Sequence, residues 1–103
     1  MWQWEVFKRV HKYYKGKSIL TWGKADLKAE CFPHLFPKGA YQSMKLLDRN
    51  IVLVSSVEEH EMIDKIFNLI RKDRGKIYLM QRIKQWDDLS WMIREYYENE
   101  LSL

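Results

Sequence analysis

The chain has 103 residues, the length of one small domain, and its 47% hydrophobic content supplies a packed core and argues against disorder. A single cysteine excludes an internal disulfide framework and any four-cysteine zinc site. Lys and Arg outnumber Asp and Glu by 18 to 14, a net charge of +4 that gives a mild preference for polyanions. No apolar run approaches the roughly 18 residues of a membrane span, and the opening M-W-Q-W-E-V-F-K has no apolar signal core, so the expected setting is the cytoplasm, away from any membrane.

In chain order, residues 2–15 read as a helix. Val6, Val10, Tyr13 and Tyr14 recur at helical spacing among Lys8, Arg9, Lys12 and Lys15, and Gly16 is the stop. Ser18 to Trp22 is short, apolar and partly β-branched, which suggests an extended segment, and Gly23-Lys24-Ala25-Asp26 reads as a turn. Leu27 to His34 is the next expected strand, with Pro33 near its end because proline cannot donate to a ladder. A loop follows from Pro37 to about Arg49. Asn50 to Val54 (N-I-V-L-V) is the clearest strand signal in the chain. Ser56 and Glu59 form an S-x-x-E capping box, and the helix they start turns Ile63, Ile66, Phe67 and Ile70 to the core and ends near Arg74-Gly75. A last helix is expected over about 76–99, where Leu79, Ile83, Trp86, Ile93 and Tyr97 keep a seven-residue rhythm broken at Ser90.

The charge is unevenly spread. Residues 1–48 hold nine basic and four acidic side chains. Arg71, Lys72, Arg74, Lys76, Arg82 and Lys84 form a second basic cluster, and Asp87, Asp88, Glu95, Glu98 and Glu100 make the end acidic. Basic clusters of this kind fit a phosphate backbone and equally fit solvated helix faces.

Chemistry-bearing residues concentrate between Cys31 and Asp64. His60 and Asp64 lie four apart on the capped helix, one turn apart on one face, and their nitrogen and oxygen donors suit Mg²⁺, Mn²⁺, Zn²⁺ or Ni²⁺. Both fall in the first two turns, near the positive end of the helix dipole, where phosphate is favoured. His34 ends an expected strand and has the chemistry of a general base near neutral pH. Asn50 heads the next expected strand, where its carboxamide can orient a neighbouring imidazole or simply serve a turn. Cys31 reads as a small buried hydrophobe. His11, among lysines, reads as a surface residue, and the tryptophans and tyrosines at helical spacing read as core or partner contacts.

Together, P-H-L-F-P-K-G-A-Y around His34, D-R-N-I-V-L-V at Asn50 and E-E-H-E-M-I-D at His60 and Asp64 resemble the HNH, or ββα-metal, endonuclease family. The lead-in V-F-K-R-V-H-K-Y-Y-K-G-K and T-W-G-K-A-D-L-K-A-E is similar to that of small phage-type members, so the resemblance covers about residues 6–70. It implies an α+β fold: a β-hairpin and helix over about 18–72, with an N-terminal helix and the long C-terminal one, in a single domain. It implies a hydrolase that cuts DNA phosphodiester bonds with one divalent ion, Mg²⁺ or Mn²⁺ foremost and Zn²⁺ or Ni²⁺ as alternatives, in the cytoplasm of a host cell if phage-encoded. His34 matches the general base, Asn50 the asparagine that holds the loop and positions that base, and His60 and Asp64 the metal ligands. Lys38, Arg71, Lys72 and Arg74 are the expected DNA contacts.

Two departures accompany the resemblance. Pro33 stands where the family commonly has a third ligand, Asp or His. I-L-T-W-G-K stands where many members carry a C-x-x-C zinc knuckle, which leaves packing around Trp22 to replace that staple. Pro33 supports an alternative, an HNH-like module that binds nucleic acid or protein without cutting. A third reading, a helical interaction protein without nucleic acid, predicts that His34 and His60 lie far apart; a partner contact through the C-terminal helix is a separate expectation.

Overall fold

The computed structural model describes residues 3–36, 47–83 and 86–101. Helix α1 spans Gln3–Tyr13, α2 Val57–Arg74, α3 Lys76–Arg82 and α4 Trp86–Tyr96, and a π-helical turn follows at Tyr97–Leu101. Short 3₁₀ turns lie at Ala29–Cys31 and Asp48–Asn50. No helix among the described residues is long and apolar enough to cross a membrane.

The expected ββα-metal architecture is not what the chain adopts. Among the described residues there is no strand and no sheet, only isolated antiparallel bridges at Lys17–Lys24 and His34–Ile51. The reason lies in the backbone donors. Around the His34–Ile51 pair, the Leu35 amide donates to Asn50 O at 2.8 Å and the Val52 amide to Pro33 O at 3.1 Å. In a continuing ladder each of these flanking rungs carries two bonds, and here each carries one. Pro33 has no N–H to return to Val52. The Asn50 amide turns back to Leu47 O at 2.9 Å, closing the 3₁₀ turn. One rung further on, Val54 N still donates to Cys31 O at 2.9 Å, and on the other side Ile19 N donates to Leu53 O at 2.8 Å. The N-I-V-L-V run is thus an extended segment, wholly buried from Ile51 to Val54 and bonded on both flanks.

Other expected strands are also turns. Ser18 to Trp22 is a tight loop in which the Ser18 hydroxyl accepts from Leu20 N (3.1 Å) and Trp22 N donates to Ser18 O (3.0 Å). Trp22 sits at φ +63° and is 58% exposed, so it does not pack as the expected hydrophobic staple. The Arg94 guanidinium from α4 lies 3.5 Å from its ring centroid and Arg94 Nε donates to Ile19 O at 2.8 Å, which docks α4 on this loop. Burial lowers the Arg94 pKa from its ordinary value, and the group stays cationic at neutral pH.

The helices follow the sequence more closely. Helix α1 ends in a Schellman arrangement, with Gly16 N on His11 O at 2.9 Å and Lys15 N on Lys12 O at 3.1 Å, and both Lys15 and Gly16 take positive φ. Ser56 caps α2 by accepting from Glu59 N at 3.2 Å, and Ile63, Ile66, Phe67 and Ile70 are buried as expected. The Glu59 carboxylate reaches past the cap residue to the Ser55 amide, at 3.4 Å. It accepts from the hydroxyls of Ser55 and Ser18, and from Thr21 Oγ1 at 3.5 Å, tying the start of α2 to the 18–21 loop. The region expected as one C-terminal helix contains two: α2 stops at Gly75, whose φ of +89° suits glycine, and α3 ends at Arg82 before α4 begins. The break in hydrophobic rhythm at Ser90 is a buried hydroxyl lying 3.3 Å from the Tyr14 hydroxyl.

Removing the Glu59 carboxylate leaves the Ser18 and Ser55 hydroxyls without their acceptor. Glu59→Ala is expected to lower unfolding free energy by about 2–3 kcal/mol, against about 1 kcal/mol for Ser56→Ala. Urea denaturation of the two variants measures the difference, and equal losses would reduce Glu59 to an ordinary first-turn acid.

Candidate active site

One cleft of about 520 Å³ collects residues from three parts of the chain: Gln3 and Phe7 of α1, the segment around His34, and His60, Asp64 and Arg71 of α2. The α2 contribution follows from helical spacing. His60, Asp64, Asn68 and Arg71 recur at three- and four-residue intervals and form one stripe beside the buried Ile63–Ile66–Ile70 face.

His60 is half-buried, and its Nδ1 lies 2.9 Å from the backbone carbonyl of Glu30. A carbonyl oxygen only accepts, so Nδ1 carries the proton. The neutral ring then keeps its lone pair on Nε2, the arrangement by which an imidazole is readied as a metal ligand. The 3₁₀ turn Ala29–Cys31 sets this carbonyl in place. Asp64 is exposed one turn along, with its Cβ about 5–6 Å from that of His60 by helical geometry.

His34 is half-buried on the same cleft, with its ring edge-to-face against Phe7 at 6.5 Å between centroids. Its placement traces to Asn50. The Asn50 side chain is fully buried; its Oδ1 accepts from Phe36 N at 2.7 Å and its Nδ2 donates to Phe36 O at 3.0 Å. The carboxamide thus acts as the next rung of the broken ladder and fixes the chain two residues beyond His34. Asn50 is a positioning residue that works through the backbone.

The expected DNA contacts separate. Arg71 lies in the cleft, exposed, with Nη2 on Asn68 Oδ1 at 2.8 Å and its guanidinium 5.7 Å from the Phe67 ring centroid. Arg74 lies in a different cleft between α2, α3 and α4, 5.5 Å from the Tyr78 ring centroid. Lys72 is exposed and lines neither cleft. Lys38 lies outside the described residues. No local pattern in the sequence announces the wall formed by Gln3 and Phe7, or the Glu30 carbonyl that pairs with His60. Asn68 was within reach, as it continues the His60–Asp64 spacing.

Among the described residues no three His, Cys, Asp or Glu side chains come together as a metal cluster. The donors present, one imidazole with a set tautomer and one carboxylate, fit an ion that keeps several waters, as Mg²⁺ does, and do not build a closed zinc site. Cys31 is 3% exposed, and burial pushes its thiol above the ordinary value. It belongs to the core.

No protein-family model matches the chain, and no curated protein and no solved structure matches it.

Two predictions follow from the packing. Asn50→Ala removes the side-chain bonds to the Phe36 amide and carbonyl and is expected to cost about 2–3 kcal/mol in urea denaturation; a loss under about 1 kcal/mol would mean the 33–36 segment is held by other contacts. The Cys31 thiol keeps its proton more tightly folded than unfolded. Its contribution to stability is therefore full below its ordinary value of 9.0 and declines as pH rises through the raised folded value. Wild type should lose more stability between pH 8 and about 10.5 than Cys31→Ala, which has no thiol to titrate.

Proposed function

We propose that the cleft hydrolyses DNA phosphodiester bonds with one divalent cation held by His60 and Asp64. The observation that carries this reading is the meeting of His34 with the His60–Asp64 pair in one cleft, with the His60 tautomer set by Glu30 O. Residues 26 and 30 positions apart in sequence converge there, which a helical interaction protein does not require.

In this mechanism the His34 imidazole accepts a proton from a water as its oxygen attacks phosphorus. The bond from phosphorus to the leaving sugar oxygen breaks, and that oxygen takes a proton from solvent or a neighbouring acid. Arg71, at the rim, holds a non-bridging phosphate oxygen by charge-assisted hydrogen bonds. Asn50 keeps the His34 backbone in register. A Mg²⁺ or Mn²⁺ ion held by His60 and Asp64 would supply stabilisation of the negative charge that develops on the phosphate.

Pro33 supports a second reading. It takes the position where the resemblance implies a third ligand, and the described residues bring no replacement. A site with two protein ligands is weaker, and a module that binds DNA without cutting fits that weakness.

Plasmid cleavage with Mg²⁺, Mn²⁺, Zn²⁺ and Ni²⁺ distinguishes the two. The nuclease reading expects cutting with Mg²⁺ or Mn²⁺, a fall of about 10²–10⁴-fold in His34→Ala, and loss in His60→Ala and Asp64→Ala that added metal partly restores in the latter. DNA affinity in EDTA should stay unchanged in His34→Ala. Cutting by His34→Ala at the wild-type rate would end the assignment. Failure with every ion alongside salt-sensitive DNA binding would select the binding module.

A further inference from the structure

A further cleft, of about 470 Å³, opens at the other end of α1, lined by His11, Lys15, Gly16, Lys17, Lys24 and Asp26 among others. Its basic residues come from two backbone segments that the fold pins together. The Ser18 amide donates to Gly23 O and the Ala25 amide to Gly16 O, both at 2.8 Å. His11 Nε2 lies 3.0 Å from Ala25 O, so the ring donates and ties the helix to the same segment.

These bonds put Lys17 directly opposite Lys24 in an antiparallel bridge of the non-hydrogen-bonded kind, where facing side chains come closest. Like charges so placed destabilise the pairing. Among the described residues no acid pairs with these lysines. Lys15, Lys17 and Lys24 are exposed and make no ion pair among the described residues, and the one carboxylate lining the cleft, Asp26, lies 3.9 Å from Lys28. Lys15 adds a further cost, since its backbone is held at φ +57°. The fold thus spends stability to hold three ammonium groups around one concavity.

We propose that this cleft seats the phosphate backbone of duplex DNA. It rests on the reading of DNA as substrate and adds a second contact. The geometry along α1 supports one occupant for both clefts. Gln3 lines the candidate active site and His11 the lysine cleft, so the two clefts open beside the same helix, with Phe7 between them buried against Phe32. From Gln3 to His11 is about 12 Å along the axis. Successive phosphates of one strand rise about 3.4 Å, so three or four phosphates span that distance.

The test is fluorescence anisotropy of a labelled 20-base-pair duplex in EDTA, over a NaCl series. Lys17→Gln/Lys24→Gln is expected to weaken binding at 100 mM salt by about tenfold or more and to lower the salt slope by about 1.8, two phosphate contacts at 0.9 each. The same variant should melt at or above the wild-type temperature, because the like-charge pair is gone. Lys8→Gln/Lys65→Gln removes the same net charge elsewhere and should lower the slope less. Wild-type affinity and slope in the Lys17/Lys24 variant would overturn the proposal, as would an equal loss in the Lys8/Lys65 variant. Phosphatidylserine vesicles that bind wild type as tightly as the duplex, and lose binding in the Lys17/Lys24 variant, would also overturn it in favour of a membrane surface. Binding in EDTA is read apart from cleavage, so a failure of the nuclease reading leaves this result distinct.

Discussion

The centre of this fold depends on one buried carboxamide. Asn50 exposes none of its surface, and both ends of its amide bond Phe36. A buried amide left unpaired is costly, so the two bonds are a constraint on register as much as a source of stability. They fix the 33–36 segment against the wholly buried Ile51–Val54 run. Phe36 then meets Phe67 of α2 edge-to-face at 5.0 Å, and Phe32 stacks on Phe7 of α1 at 4.3 Å. Through these two ring contacts the segment bearing His34 is held between α1 and α2. The cleft is a consequence of that wedge.

Pro33 has two effects that pull in different directions. It removes a backbone donor and so ends the pairing at a single bridge, which leaves the chain free to enter the 3₁₀ turn that presents Glu30 O to His60. It also removes a side chain capable of binding metal at the position beside His34. An aspartate there would bring an amide able to complete the rung with Val52, and with it a longer ladder. The shape of the cleft and the ligand count of the proposed metal site are therefore coupled through one residue.

Helix α2 was legible because its signals are local. The S-x-x-E cap, the spacing of Ile63, Ile66, Phe67 and Ile70, and the Arg74-Gly75 stop all lie within one segment, and the structure follows each. The expected strands failed because a strand is a property of two segments. N-I-V-L-V has the composition of a buried strand, yet its neighbours offer a proline on one flank and only the Ile19 amide on the other. Periodicity cannot count donors in a partner. The site divides the same way. His60, Asp64 and Arg71 share a stripe that spacing reveals, and His34 and Asn50 were singled out by chemistry. The Phe7 wall, the Glu30 carbonyl and the Glu59 hydroxyl cluster depend on contacts about 30–40 residues apart, which only the fold supplies.

Charge placement separates the two tasks proposed for the molecule. On the proposed reading a DNA backbone entering the candidate active site without a cation would meet repulsion from Asp64, offset among the described lining residues by Arg71 and the first turns of α2. The lysine cleft carries its charge permanently, with no metal required. On this reading DNA is held by the lysines whether or not an ion is present, and the ion governs only whether the phosphate can settle beside His34. On that reading two protein ligands would suffice, because DNA held at the other end of α1 would bring its own phosphate oxygens to an ion held by His60 and Asp64. The weakness that Pro33 introduces would then fall on metal binding in the free protein and would be smallest in the complex with DNA.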